Sequence, residues 1–395
     1  MPRLLFALFA MGILGLLYGY VGLRIIGPAP LGPSGRQLAW GILTAMWLVN
    51  PLAIWLDRSD GRPDFADSAL WLVYLNLGVL AMMFTLLVAR DLLWLVARGI
   101  DALANLVRGD TVILPADPER RRVLLHGLNV GIVGASGVLG VWGYQEARRT
   151  PRVMRVDVPV KGLHPSLDGL KIAQLTDIHV GPTIKQSWLQ EVVAEVNRQG
   201  ADLVAVTGDV VDGLVHDLRD HVAPLGQLKS TYGTFYVTGN HEYYWGGPAW
   251  VEEFTRLGLK ALGNQHEVIQ HGGARLMVAG VTDYSAGRMI PGHESDPHKA
   301  GAGAGEVDFR LLLAHQPRSI FTAAEAGFDL QLSGHTHGGQ IFPWNFMVPL
   351  QQPFVNGLHT FQKMQIYVSR GTGYWGPPIR VGAPSEISLL TLRAV

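Results

Sequence analysis

Long apolar runs in the first third of the chain constrain its fold more than any other feature of the sequence. Residues 4–26, 38–56 and 69–89 are nearly free of charge, and a weaker run rich in glycine, alanine and valine covers residues 123–144. Each is about long enough to cross a ~30 Å hydrocarbon core at ~1.5 Å per residue. We therefore predict a transmembrane helical domain of about four helices over residues 1–150, rather than buried helices of a soluble protein.

Residues 90–109 combine apolar residues three and four apart with interspersed arginines. This spacing predicts either an amphipathic helix on the membrane surface or an extension of the third span. The sequence contains no cysteine, which excludes disulfides and thiolate metal sites. Its formal net charge is zero, so composition indicates no nucleic-acid partner.

The arginines beside the fourth run do not orient the chain, because Arg120–Arg122 on one flank oppose Arg148, Arg149, Arg152 and Arg155 on the other. The stretch ERRRVLLHGLNVGIVGASG resembles a twin-arginine export signal, although Leu124 and His126 depart from that pattern. We therefore expect a multi-pass protein of the cell membrane whose part after Tyr144 is extracytoplasmic.

From about residue 151 to 395 the pattern changes to short apolar strands alternating with helical stretches. Continuous apolar strands alternating with helices predict an α/β domain with its sheets covered by helices. Nearly every strand ends at histidine, aspartate or asparagine, and ligand sites of such sheets lie outside the strand carboxyl ends. We therefore expect these polar residues to gather along one edge.

Carboxylates, imidazoles and an amide oxygen at one edge predict a site for divalent metal ions. The candidate ligands are too many for one tetrahedral centre and suit two ions that share a bridge. The DxH and HxH spacings fit if residues i and i+2 point to the same side of a strand. The candidates are Asp177, His179, Asp209, Asn240, His315, His335 and His337.

The ordered set resembles the signature of the calcineurin-like metallophosphoesterases. It consists of Asp177-Ile-His179, Gly208-Asp209-Val-Val-Asp212, Gly239-Asn240-His241-Glu242, His315 and Gly334-His335-Thr-His337. The stretches SGHTHGGQ and YVSRGTGYWGPPIR are most similar to the bacterial branch with N-terminal membrane segments. The resemblance covers roughly residues 165–395 and implies a four-layer α/β/β/α sandwich.

The resemblance also implies roles. Asp177, His179 and His337 would hold one metal ion, Asp209 would bridge, and Asn240, His315 and His335 would complete the second site. His241 would act as general acid, and Asp212 would orient it. The ions are expected to be Mn, Fe, Zn or Ni, since these accept imidazole and carboxylate ligands.

The activity expected is hydrolysis of a phosphodiester, phosphomonoester or pyrophosphate bond by a metal-activated hydroxide. A site tethered to a bilayer favours a phospholipid or a lipid-linked pyrophosphate as substrate, with Trp245, Tyr243, Tyr244 and Trp375 as an apolar rim. The alternative is a non-catalytic metal-binding or sensor protein. A transporter is disfavoured because the spans carry almost no charge. The Gly- and Pro-rich segment 287–306 predicts a flexible loop, either a solvated insertion or a lid.

Overall fold

The computed structural model of the protein describes residues 2–57, 65–108 and 117–395. Its contacts divide the chain into two units. Unit 1 comprises Met1–Tyr144 and Pro377–Ile379, and unit 2 comprises Gln145–Gly376 and Arg380–Val395. The division falls a few residues before the predicted domain boundary at residue 150, which stays a prediction.

Unit 1 is helical and contains α1 (Pro2–Ile25), α2 (Pro33–Asp57), α3 (Ala66–Arg108) and most of α4 (Pro118–Arg148), whose last four residues belong to unit 2. Within the described residues, three helices are long and apolar enough to cross a membrane, over Leu8–Ile25, Ala66–Val107 and Pro118–Arg148. The predicted span 38–56 lies in α2, whose side chains after Leu52 are outside the described ones. That span stays a prediction.

The third helix settles the two alternatives for residues 90–109. α3 runs without interruption for 43 residues, so residues 90–108 continue the third span and do not form a separate surface helix. At ~1.5 Å per residue the helix is about 65 Å long, roughly twice a ~30 Å hydrocarbon core. Part of α3 must therefore extend beyond the apolar layer of a bilayer that it crosses.

Unit 2 contains two six-stranded sheets. The first has the strand order β1-β12-β2-β3-β4-β5 and the second β10-β11-β9-β8-β7-β6. The first sheet consists of β1 (Arg152–Val160), β2 (Lys171–Leu175), β3 (Leu203–Thr207), β4 (Thr234–Val237), β5 (Lys260–Ala261) and β12 (Glu386–Ala394). The second consists of β6 (Gln265–His271), β7 (Ala274–Gly280), β8 (Phe309–Leu313), β9 (Leu330–Ser333), β10 (Gly357–Phe361) and β11 (Met364–Val368).

Seven helices accompany these sheets: α5 (Gln186–Arg198), α6 (Val215–Val222), α7 (Asn240–Tyr244), α8 (Gly247–Arg256), α9 (Ala286–Met289), α10 (Pro297–Gly301) and α11 (Ile320–Glu325). The side chains between the two sheets form one buried cluster, in which Ile172 and Phe235 of the first sheet accompany Leu311 of the second. Alternate side chains of each strand point to the opposite face. There they pack against helices, α5, α6 and α8 on the first sheet and α10 and α11 on the second. The expected four-layer α/β/β/α sandwich is confirmed.

The segment 287–306 differs from its prediction as a flexible loop. It holds most of α9 and the whole of α10, and Pro297 and Ala300 are buried. Asn264 fixes it from outside, donating to the Glu294 carbonyl at 2.8 Å and accepting from the Asp296 amide at 2.9 Å. Its glycines and prolines therefore shape tight turns in a packed segment.

Candidate metal centre

The predicted site residues follow the carboxyl ends of five strands. In the first sheet, the parallel strands β2, β3 and β4 lead to Asp177, Asp209 and Asn240. In the second, the parallel strands β8 and β9 lead to His315 and His335. Because parallel strands share one carboxyl edge, this topology gathers side chains from distant parts of the sequence.

The backbone reaches this arrangement by left-handed turns. The DxH and HxH pairs lie beyond Leu175 and Ser333, the last residues of β2 and β9, so the strand pleat does not align them and the predicted reason was wrong. Left-handed φ angles are uncommon for residues other than glycine and concentrate at functional sites. Among the candidate ligands, the residues with this conformation are Asp177 (52°), His179 (55°), Asp209 (52°), His335 (69°) and His337 (51°).

The first group of donor atoms comprises Asp177, His179 and His337. One ligand atom of each lies within 4.8 Å of the others, and all three residues are buried. The Nε2 atoms of the two histidines are 3.1 Å apart. The Nε2 atom of His337 is 3.3 Å from Oδ1 of Asp177.

The second group comprises Asp209, His315 and His335. Nε2 of His315 lies 3.1 Å from Oδ2 of Asp209 and 3.2 Å from Nδ1 of His335. Asn240 is buried, and its Oδ1 atom has no hydrogen-bond partner within the described part of the chain. A buried amide oxygen without a donor is costly, and a cation at this position would satisfy it.

The histidine tautomers also favour cations. Nδ1 of His315 is 2.8 Å from the Thr207 carbonyl, and since a carbonyl only accepts, Nδ1 donates and Nε2 is the nitrogen that would bind a cation in exchange for its proton. Nδ1 of His179 is similarly 3.1 Å from Oδ2 of Asp212. Potential ligand atoms therefore converge within each group, and the mixed imidazole, carboxylate and amide set fits divalent ions.

The pKa values of the buried histidines also indicate a centre that favours positive charge. Burial lowers the pKa of His315, but the carboxylates of Asp209 and Asp177 outweigh it and raise that pKa. Burial, and then the charge of His315, lower the pKa of His335 to about 3. His335 is thus neutral at physiological pH, as an imidazole ligand must be. The carboxylates favour positive charge at the centre, which bound ions would supply.

Asp212 joins the residues expected to bind metal to the residue expected to transfer a proton. Its Oδ1 atom is 2.5 Å from Nδ1 of His241, and its other oxygen contacts His179. Burial raises the pKa of Asp212, but the two histidines outweigh it and lower that pKa. Burial lowers the pKa of His241, and Asp209 and Asp212 more than reverse this, raising it to about 9.

Comparison with known proteins identifies the family to which the chain belongs. The family model described as calcineurin-like phosphoesterase matches residues 170–339. A protein of Helicobacter pylori (strain ATCC 700392 / 26695), named as an uncharacterized metallophosphoesterase, is 41% identical over 278 residues, which are 69% of this chain and 72% of that protein. The chain belongs to the calcineurin-like metallophosphoesterases.

Other relatives share a membrane description. A Danio rerio protein named "Transmembrane protein with metallophosphoesterase domain" is 39% identical over 267 residues, 65% of this chain and 61% of that protein. The chain thus spans less than two thirds of this relative. The 5'-nucleotidase precursor of Thermus thermophilus aligns at a TM-score of 0.36 and 16% identity, covering 56% of this chain and 54% of that one.

Glu242 positions other residues of this metallophosphoesterase. It belongs to the motif Gly239-Asn240-His241-Glu242, but the motif alone did not indicate what its side chain does. Its buried carboxylate accepts hydrogen bonds from the amides of Gly239 (2.6 Å), Val210 (2.6 Å) and Asp209 (3.1 Å). Burial, and then the charge of Asp209, raise its pKa to about 7. The side chain holds the loop after β3 against the loop after β4 and so fixes the position of Asp209.

Arg380 is a second residue whose role no sequence pattern indicated. Its guanidinium is 1% exposed and donates to the carbonyls of Gly373 (2.8 Å), Ala383 (2.8 Å) and His337 (3.3 Å). Burial lowers its pKa to about 10. It braces the turn that carries His337. Five donors in a planar fork explain why arginine suits a position surrounded by carbonyls.

Glycine is required where two ligand loops meet. A Cβ atom added at Gly239 would lie 2.1 Å from Oδ1 of Asp209, and one at Gly334 would lie 2.1 Å from Oδ2 of Asp177. These glycines therefore make room for the carboxylates themselves, and the sequence pattern alone did not indicate that contact.

We predict that Gly239→Ala lowers metal content, because the new methyl group collides with the Asp209 carboxylate and displaces it. The overpacking should also destabilise unit 2 by about 1–3 kcal/mol. Metal analysis by mass spectrometry and thermal unfolding of the purified chain would measure both. The matched control is Gly263→Ala, whose added Cβ would meet its nearest atom at 3.7 Å. Equal metal content in the two variants would contradict the steric argument.

Proposed function

We propose that this chain is a membrane-anchored hydrolase of phosphodiester, phosphomonoester or pyrophosphate bonds that uses two divalent ions. The observation that carries the proposal is the pair of donor groups, Asp177–His179–His337 and Asp209–His315–His335, beside the Asp212–His241 contact. Asp209 would be shared by the two ions, and Asn240 would help to hold the second. When bound, such ions activate water and neutralise charge on the phosphoryl oxygens.

The chain's own proton donor in this proposal is His241. Asp212 holds its Nδ1 atom, while its Nε2 atom lies 3.9 Å from Oδ2 of Asp209 and so faces the ligands. A proton on Nε2 can then pass to the oxygen of the leaving group as the phosphorus–oxygen bond breaks. The Asp212 carboxylate would stabilise the charged imidazole and keep its ring oriented.

We expect Asp209→Ala to abolish metal-dependent hydrolysis of bis(p-nitrophenyl) phosphate, since both ions would lose a ligand. His241→Ala should keep its metal content and lose turnover by about 10²- to 10⁴-fold, the usual contribution of a general acid. Steady-state kinetics and metal analysis on the same preparations measure the two effects. His298→Ala, at an exposed position of α10, serves as the control.

The same assay separates catalysis from a non-catalytic sensor. A sensor would bind metal without turning over the phosphodiester and would tolerate the loss of His241. The Asp212–His241 contact favours the enzyme, because metal binding alone has no use for a proton donor held beside the ligands. A metal-loaded wild-type chain that is inert toward phosphodiesters, phosphomonoesters and pyrophosphates would refute the proposed activity.

The surroundings of His241 support an amphiphilic substrate. The rings of Tyr244 and Trp375 lie 5.2 and 5.7 Å from its ring, and the two residues are 60% and 56% exposed. The rest of the predicted rim differs. Trp245 packs against the core, and the hydroxyl of Tyr243 bonds to His293 at 3.0 Å.

An exposed aromatic segment continues from this rim. Gln340 exchanges two 2.9 Å hydrogen bonds with the backbone of Trp375, which fastens the segment's start beside the rim. Exposed apolar surface at a polar site suits the acyl or polyprenyl part of a phospholipid or a lipid-linked pyrophosphate. The segment's exposed side chains are Phe342, Trp344, Phe346, Met347 and Leu350.

We predict that Trp375→Ala lowers kcat/KM for a long-chain lipid phosphoester by about tenfold, as expected for loss of a large apolar contact. Hydrolysis of bis(p-nitrophenyl) phosphate should be nearly unchanged, because the Gln340 bonds involve only the backbone of Trp375. Phe321→Ala, also at an exposed aromatic residue, is the control. An equal loss on both substrates would argue against recognition of the lipid chain.

We also propose that unit 2 is extracytoplasmic. Contacts among Arg24, Asp91 and Asn129 place the end of α1 level with these positions of α3 and α4. The arginines Arg120–Arg122 precede that level, and the ~28 Å of helix from Asn129 to Arg148 is about one bilayer crossing. The positive-inside rule does not decide the orientation, because Arg148, Arg149, Arg152 and Arg155 stand at the other end of this crossing. The resemblance of residues 119–137 to a twin-arginine export signal supports a cytoplasmic location for Arg120–Arg122.

The absence of native cysteine makes this orientation testable by labelling. In intact cells, a membrane-impermeant maleimide should label Lys229→Cys, an exposed position of unit 2, but should label Arg36→Cys, at the start of α2, only after lysis. Labelling in the reverse order would place unit 2 in the cytoplasm.

A further inference from the structure

Unit 1 contains a cavity of about 650 Å³ that the proposed hydrolysis does not use. It lies where the end of α1 meets α3 and α4, and its lining includes Arg24, Arg90, Arg98, Asp91 and Trp94. Three arginines and an aspartate from two helices thus converge on one cavity at the end of a candidate membrane span, where an anionic group can reach them. The position and composition of the cavity therefore indicate a ligand.

A network of polar contacts builds its wall. Asp91 accepts from Nε of Arg24 at 2.7 Å and from the hydroxyl of Tyr20 at 2.8 Å. Arg90 contacts both Asp91 and Asn129, and Asn129 donates to the Arg24 carbonyl at 2.7 Å. The Arg90 side chain is only 9% exposed. Three helices are thus tied together around a preformed group of cationic side chains.

The charges of this lining do not cancel. Three arginines and one aspartate leave two positive charges among the charged lining residues named here. Guanidinium groups bind phosphate through paired hydrogen bonds in a geometry that matches its oxygens. An anion with a phosphate group therefore fits the cavity in both charge and hydrogen bonding.

The depth of the cavity relative to the bilayer indicates that the phosphate belongs to a lipid headgroup. Arg24 stands in the last turn of α1, at the end of the apolar stretch Leu8–Ile25, which is where lipid headgroups meet the hydrocarbon layer. Trp94 supplies the aromatic side chain typical of that interface. Leu23, Val88, Leu95 and Leu125 complete an apolar part of the lining that suits the beginning of an acyl chain.

We propose that this cavity binds the phosphate headgroup of an anionic membrane lipid. Arg24 and Arg98 approach the phosphate, and Asp91 and Asn129 hold Arg24 and Arg90 in position. This site is separate from the metal centre, and its occupation does not require that unit 2 hydrolyse anything.

The test is a calorimetric titration of the full chain in a neutral detergent, after chelation so that the metal centre does not bind phosphate. The probes are short-chain phosphatidylglycerol, the phosphatidylcholine of equal chain length, and inorganic phosphate. We expect saturable binding of phosphatidylglycerol alone, with an affinity that falls as ionic strength rises.

Variants assign the binding to this cavity. Arg98→Gln and Arg24→Gln should each weaken phosphatidylglycerol binding by about fivefold, the contribution typical of one basic residue at an anionic lipid surface. Arg36→Gln, at an exposed arginine near the start of α2 and not part of this cavity lining, is the matched control. Arg98 is not one of the residues that form the network around Asp91 described above, so Arg98→Gln tests the site without removing those contacts.

Three results would overturn the proposal. These are unchanged phosphatidylglycerol affinity in both cavity variants, an equal loss in Arg36→Gln, and equal binding of inorganic phosphate or phosphatidylcholine. Every variant should match wild type in helical circular dichroism and in its thermal unfolding in detergent, which shows that a loss of binding does not come from unfolding of unit 1.

Discussion

The structure of unit 2 depends on a buried cluster of oxygen and nitrogen ligand atoms that a positive charge would stabilise. Carboxylates, imidazoles and an amide oxygen point toward one another at the carboxyl edge of the two sheets, and their burial removes the water that would otherwise solvate them. In such surroundings an unpaired polar atom is costly. Within the described part of the chain Oδ1 of Asn240 has no hydrogen-bond partner, and the carboxylates of Asp177 and Asp209 are buried at the same edge of the sheets. Divalent ions would satisfy the amide oxygen and balance the negative charge.

The supporting contacts limit how the centre responds to change. Glu242 fixes the Asp209 loop, Arg380 fixes the His337 turn, and Asp212 contacts both His179 and His241. A change at Asp212 therefore reaches a candidate ligand and the candidate acid together. The Asp212 carboxylate orients His241, the proposed acid, and also sets the tautomer of His179, a candidate ligand. Few rotatable bonds therefore separate the acid from the metal ligands.

Much of this arrangement was predictable from the sequence because strand ends and motif spacing are local signals. The gathering of Asp177, Asp209 and His315 follows from apolar strands that end in polar residues, whereas the four-layer sandwich was implied by the resemblance of the motifs to a known family. The left-handed backbone was not predictable from the pleat of a strand, since it depends on contacts beyond the strand. Glu242 and Arg380 bond mainly to backbone groups, which leave no pattern in side-chain chemistry. The continuity of α3 was one of two alternatives that the spacing in residues 90–109 left open.

The left-handed residues have a consequence for the metal affinity of the protein. At a turn of this kind glycine is the least strained choice, but glycine supplies no ligand, so five positions keep a side chain in spite of the backbone strain. Such residues cost on the order of 1–3 kcal/mol each and persist only where their surroundings impose them. Strain that is present with and without ions lowers the stability of the fold and cancels from the affinity, whereas strain that binding adds or relieves changes the affinity directly. Substitutions in the surrounding sheets and loops can thus change the affinity for ions by altering that strain, even where every ligand is kept.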